Sequence, residues 1–371
     1  MFEILLDKIS VGAVLILSAG VALFVGGRVC GDVLAGGGRG PKPGRRAVGL
    51  WLPIAMTAVG AMVGGRSEVA LGIAFATSVA SLSLVVGLIC LYQPIGRDVE
   101  RHGIVPGLRA WPFVLPAALL ALLAGFSGEL NTFHALVLLG QGLAALLVWG
   151  DERETVQIHD ASPTPEPTRT RWVLLVLALL VAALGAWAGL RGIALPPGRL
   201  RMFSPAVLSA TVLSPLLLLP MMNVGLGLTR QGRAAEALTT QVGVVLLNLC
   251  LLLPVLVGIA CVKPLFAGAV SFLAPSTLNA VATTLPATAP ATQPEPSPID
   301  DAYVTAELRA PRALPYPLIT WRVDTVVLIV LGFMLVPMAL GRLTLGQAEG
   351  AGLLAGYCAY LVLVTALGLK W

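Results

Sequence analysis

Gly49-Leu-Trp-Leu-Pro53-Ile54 and Leu216-Leu-Leu-Leu-Pro220-Met221 are two apolar stretches, each carrying a proline where a membrane helix would be expected. The first is followed by Gly72-Ile-Ala-Phe-Ala-Thr77-Ser78-Val-Ala-Ser81 and the second by Thr239-Thr-Gln-Val-Gly243-Val-Val-Leu-Leu-Asn248. Pro53 precedes Ser81 by 28 residues, and Pro220 precedes Asn248 by the same 28. A short basic connection joins each pair, Gly64-Gly-Arg66-Ser-Glu68 in one and Arg230-Gln-Gly-Arg233 in the other. The chain therefore carries one hairpin skeleton twice.

The surroundings say what kind of hairpin this is. Of the 371 residues, 57% are hydrophobic and 12% charged, with a mean hydropathy of +0.89. Soluble chains carry about 25% charged residues. Here the apolar residues lie in unbroken runs of spanning length, about 20 residues at 1.5 Å rise each. Ten such runs are expected: 9–27, 47–65, 69–90, 112–126, 132–149, 172–190, 202–228, 237–261, 323–340 and 350–369. Equivalent spans of the two hairpins are five apart in the chain. An odd number makes the two enter the bilayer from opposite faces, so the expected fold class is an all-α polytopic membrane protein of about ten transmembrane helices in two inverted five-helix repeats.

The expected organisation is a first repeat over 1–150 and a polar, proline-containing linker over 151–171. Spans six to eight of the second repeat fill 172–272. An Ala/Thr/Pro-rich extramembrane insert at 273–320 has too few large apolar residues to bury a core, and the last two spans fill 321–371. The amino-terminal run lacks a basic flank and a small-residue cleavage site, and reads as a first span. Arg39, Lys42, Arg45 and Arg46 crowd the loop after span one. By the positive-inside rule this loop is cytoplasmic, which places both termini outside the cytoplasm and the protein in the cell (inner) membrane. The net charge of +5 thus reports topology and gives no reason to expect nucleic acid. Lipid is the certain partner at this stage, and the oligomeric state is open.

The ten-span layout with proline hairpins in spans two-three and seven-eight resembles the calcium/cation antiporter superfamily, whose bacterial members are sodium/calcium exchangers. That family repeats GTSLPE and then GNxxGSNxxN. Gly49 to Ile54 and Gly72 to Ser81 align with the two elements, as do Leu216 to Met221 and Thr239 to Asn248. The last span, with Glu349-Gly350, Leu353, Tyr357 and Tyr360, is similar to the family's closing pattern. The resemblance implies a secondary cation transporter with a midplane site between Pro53 and Pro220.

It also implies the ligand positions, and there the sequence departs. The family's cations are held by one acidic side chain from each repeat; those positions are Ile54 and Met221 here. Leu50, Trp51, Leu217, Leu218 and Val244 stand where the family uses threonine and serine. Thr77, Ser81 and Asn248 keep an oxygen-bearing side chain, with Ser78, Thr239, Thr240 and Gln241 nearby. Hard cations require six to eight oxygens, some of them charged, so a bound monovalent or divalent cation is expected to be held weakly or not at all. Two other readings stay open: a non-transporting membrane scaffold, in which the surviving hydroxyls and amides hold helices together, and a transporter of a different solute.

The rest of the chain offers no competing chemistry. There is no HExxH, P-loop lysine motif or GxSxG elbow, so neither enzyme nor cofactor is expected. Five cysteines without a CxxC pair read as buried thiols, and His134 as a packing residue. Gly60/Gly64, Gly185/Gly189 and Gly352/Gly356 read as close-packing pairs. Glu68, beside Arg66, is the best residual candidate for an acidic ligand, and a helix-start acid complementing the macrodipole is the commoner reading of it.

Overall fold

The computed structural model describes residues 2–35, 43–93, 108–155, 168–194, 203–262, 313–315, 320–339 and 345–367. Ten long helices lie among them: α1 Phe2–Ala35, α2 Pro43–Val63, α3 Ser67–Tyr92, α4 Val114–Phe126 and α5 Thr132–Thr155, then α6 Thr168–Ala194, α7 Pro205–Arg230, α8 Ala234–Val262, α9 Thr325–Ala339 and α10 Gln347–Leu367. Each expected span finds its helix. Several run past their apolar runs, α1 most of all, because a helix satisfies its own backbone on both sides of the bilayer edge. Seven are long and apolar enough to cross a membrane by length and composition; Trp111–Phe126 and Thr132–Val148 are shorter apolar helices.

The two hairpins are built alike, residue for residue, at a constant interval. Pro53 and Pro220, Gly65 and Gly232, and Ser81 and Asn248 are each 167 residues apart. At both tips a glycine takes a left-handed φ, 78° at Gly65 and 74° at Gly232, which side chains resist. The next amide reaches back to close the helix end, Arg66 N to Ala61 O and Arg233 N to Leu228 O, each at 2.9 Å. Gly65 N and Gly232 N bond Met62 O and Thr229 O in the same way, so both ends are Schellman motifs.

The interruptions fall on different residues from those the prolines suggest. α2 and α7 run on through Pro53 and Pro220. Thr57 Oγ1 bonds the Pro53 carbonyl at 2.7 Å, giving that part of the kinked turn a local donor. It is α3 and α8 that loosen, into π turns at Ser81–Val85 and Asn248–Leu252, and α7 does so at Ser209–Leu213. The first two begin on the paired residues Ser81 and Asn248, where side chains meet across the repeats.

Glycines set the closest approaches. A Cβ on Gly49 would lie 2.6 Å from the Cys30 carbonyl oxygen, so α2 rests on the backbone of α1. Gly26 and Gly185 do the same for α1 and α6, where a Cβ would meet Ala178 O at 2.8 Å and Leu23 N at 3.0 Å. Of the expected small-residue pairs, Gly185/Gly189 thus packs α6 on α1. Gly352 and Gly356 meet nothing within 4 Å, so their face of α10 is open and that expectation is corrected. His134 is half-buried in the first turn of α5, where its Nδ1 accepts from the Asn131 amide at 3.4 Å and its own amide donates to Asn131 Oδ1 at 3.0 Å.

Two features cross the bundle at its ends. Strand β1, Glu129–Asn131, pairs antiparallel with β2, Ala313–Pro315, burying Leu130 and Leu314. The end of the expected insert is therefore fastened to the α4–α5 connection; the rest of that insert, most of the linker and most of the orienting basic loops lie outside the described residues. At the opposite end Arg230 lies over the Tyr92 ring, 5.6 Å from its centroid. Beside it Glu236, buried in the first turn of α8, forms ion pairs with Arg46 at the start of α2 and with Arg233 at the hairpin tip. Glu236→Leu leaves two arginines facing each other without an acid. It should lower unfolding stability in detergent by about 3 kcal/mol, and Glu236→Leu with Arg46→Leu should recover part of that loss in the same thermal-melt assay.

Candidate functional site

The expected site residues come together where α3 crosses α8, and all lie fully buried. Helix periodicity explains the choice of residues. Thr77 and Ser81 are four apart and Gln241 and Asn248 seven apart, so each pair occupies one helix face. Asn248 Nδ2 donates to Thr77 Oγ1 at 3.0 Å and to Ser78 Oγ at 3.1 Å. One rung along, Ser81 Oγ donates to Gln241 Oε1 at 2.9 Å. Each hydroxyl of the first rung gives its own hydrogen to its helix: Thr77 to Ile73 O at 2.6 Å, Ser78 to Ala74 O at 2.7 Å. Thr239 and Thr240 do not join; they donate to Ala235 O and Glu236 O on α8 itself.

Two amide atoms are left over. Asn248 Oδ1 and Gln241 Nε2 are buried without a hydrogen-bond partner. An amide oxygen can accept from a donor or help to hold a cation, whereas an amide N–H can only donate.

The hairpin prolines converge as the inverted arrangement requires. A Cβ on Gly27 of α1 would lie 2.8 Å from Pro220 Cγ and 3.4 Å from Pro53 Cγ, so both rings close on one glycine. Sequence reasoning did not single out Gly27; inside an apolar run nothing marks one glycine as the wedge between two distant prolines. Ile54 and Met221, next to those prolines, are both fully buried. Glu68 does not compensate for them. It is exposed in the first turn of α3, where an acid complements the helix dipole. Among the described residues no group of three or more His, Cys, Asp or Glu could hold a metal ion.

The second rung gives a clean test of what these contacts contribute. Ser81→Ala strands Gln241 Oε1 in the interior and should cost about 1–3 kcal/mol. Removing both partners, with Ser81→Ala and Gln241→Leu, should cost less than the sum of the two single changes, because no polar atom of that pair is then stranded. A double-mutant cycle of thermal or denaturant melts in detergent measures the difference, and additive effects would show that the bond contributes nothing.

Among solved structures the chain is similar to the sodium-calcium exchanger NCX_Mj soaked with 10 mM Na+ and 10 mM Sr2+, with a TM-score of 0.58 at 16% identity, covering 95% of this chain and 98% of that one. The same exchanger soaked with 10 mM Na+ and zero Ca2+ gives 0.57 at 16% identity, over 95% and 99% of the two chains. The H+/Ca2+ exchanger CAX gives 0.63 at 13% identity, over 98% of this chain and 85% of that one. No family model and no curated protein matches the sequence. At these identities the likeness is one of fold, and it spans nearly the whole chain. The protein is a polytopic helical membrane protein that shares its fold with the sodium-calcium exchanger NCX_Mj and the H+/Ca2+ exchanger CAX.

Proposed function

We propose that this protein is a sodium/calcium exchanger-like secondary transporter in architecture whose central site does not take calcium. The observation that carries the reading is the composition of the crossing: fully buried Ile54 and Met221 beside the two prolines, and neutral hydroxyls and amides between α3 and α8. Ca²⁺ must exchange its hydration shell for six to eight oxygens, with negative charge among them. Asn248, Thr77, Ser78, Ser81 and Gln241 supply no charge. An ion bound there would lose its hydration with nothing opposite in sign to offset it, at a cost on the order of several kcal/mol or more. Lipid is its constant partner, and the proposed setting is the cell (inner) membrane with both termini outside the cytoplasm.

One observation favours a second reading, a non-transporting scaffold. The surviving hydroxyls are occupied by their own helices and by Asn248 and Gln241, which is how interhelical contacts are satisfied in a bundle that does not open. A transporter of this architecture must break the α3–α8 rungs in its cycle; a scaffold keeps them. Hydrogen exchange at the amides of Ser81 and Asn248 separates the two, slow in a scaffold and on the timescale of turnover in a transporter.

Purified protein in liposomes is expected to show no sodium-gradient-driven uptake of radiolabelled calcium at micromolar concentration. Robust uptake that disappears in the Ser81→Ala, Asn248→Ala double variant would overturn the proposal. The converse experiment restores the charges: Ile54→Glu with Met221→Glu should acquire calcium-dependent thermal stabilisation that the parent lacks. The gain should be about 2.7 kcal/mol at a hundredfold excess of calcium over its dissociation constant.

A further inference from the structure

α9 opens on a π turn, Thr320–Asp324, that packs against the Ser67–Ala80 part of α3 and against α4. Its last residue, Asp324, is the one buried aspartate among the described residues, 4% exposed. Oδ1 of Asp324 accepts a hydrogen bond from Tyr360 Oη of α10 at 2.8 Å. Among the described residues Tyr360 is the hydrogen-bond partner of this carboxyl. One turn before Tyr360, the Tyr357 hydroxyl is buried without a hydrogen-bond partner, its ring stacked on that of Tyr360 with centroids 6.0 Å apart.

Apart from Arg322 on the turn itself, the packed elements carry no basic residue. From Ser67 to Ala80, α3 has one ionisable group, Glu68, exposed at its start; α4 and α9 have none. α10 brings Glu349 and Cys358, both exposed, besides the two tyrosines, and Arg322 on the turn itself is exposed. A buried carboxylate without a cation carries a penalty of several kcal/mol, and an ionisable group inside a membrane bundle calls for a functional account. One proton removes the charge and still leaves Oδ1 to accept from Tyr360.

We propose that Asp324, held by Tyr360 with Tyr357 beside it, is a proton-binding site of the second repeat, separate from the α3–α8 crossing. Asp324 carries its proton while α3, α4, α9 and α10 close around it. When they part, the carboxylic O–H breaks, the proton passes to water, and the carboxylate left behind is stabilised by solvent.

Infrared spectroscopy of the intact full-length protein in nanodiscs, in mildly alkaline buffer, tests this without reference to any transported ion. The carbonyl stretch of a protonated carboxylic acid should be present, and should shift when the protein is made with ¹³C-carboxyl aspartate. Asp324→Asn should abolish it, and Tyr360→Phe should move its frequency by removing the bond to Oδ1. Asp324→Asn, a neutral isostere of the protonated acid, should melt no earlier than the parent. An ionised Asp324 predicts the opposite set: a carboxylate stretch, no acid band, and an earlier melt for the asparagine variant. Absence of the acid band, or a band that aspartate labelling does not shift, overturns the proposal even where a variant fails to fold, because both are read on the unaltered chain.

Discussion

Hydrocarbon offers no hydrogen bonds, so a polar side chain buried in a membrane bundle must find its partner inside the protein. Asn248 and Gln241 are the most demanding groups at the crossing of the two repeats, and both answer to α3: Asn248 to Thr77 and Ser78, Gln241 to Ser81. These bonds hold only at one register of α3 against α8, since a slip of one residue rotates each side chain by about 100° away from its partner. The register fixed there sets where the hairpin prolines fall. Both rings then rest on Gly27, and a side chain at that position would push the hairpins apart. The crossing, the wedge and the hairpins are therefore one constraint.

The backbones of the repeats agree more closely than their chemistry does. The same 167-residue interval relates prolines, glycine tips and π turns, but the hairpin tips are fastened differently. Arg66 reaches α6, bonding the Leu190 carbonyl at 3.0 Å near that helix's end. Its counterpart Arg233 turns instead to Glu236, which Arg46 also holds. Where the second hairpin has Glu236, the first has Val69. An exposed arginine on a carbonyl is a weak tie, whereas a buried acid between two arginines is costly to separate. The second hairpin is thus pinned more firmly to the opposite repeat than the first.

Much of this was legible in the sequence, and what was not has a common physical reason. Span length, the repeated proline hairpin and its inversion follow from local properties: apolar run length, proline spacing and the parity of the spans between copies. The burial of Thr77, Ser81 and Asn248 at the crossing followed from their place in the repeat. Glu236 escaped notice because an acid in a first helical turn looks like a dipole partner, and its distinguishing feature is Arg46, 190 residues away. Asp324 lies at the start of the expected span 323–340; its partner Tyr360 lies on the next helix, and Asp324 itself ends a π turn. The β1–β2 pairing joins three residues of a short connection to three at the end of a low-complexity stretch, where no alternation could announce it. What the sequence withheld was pairing at long range.

A neutral centre and a charged one place different demands on such a fold. Removing one member of a buried ion-binding constellation leaves an uncompensated charge, which destabilises strongly; replacing all of the charged members with apolar side chains is often neutral or favourable. Ile54 and Met221 put apolar side chains at equivalent positions of both repeats, and both are fully buried next to the hairpin prolines. Asn248 then binds as an amide among hydroxyls, where an ionised acid would need a cation. A centre without net charge requires no bound ion to balance it. The neutral rungs tie α3 to α8 without a countercharge.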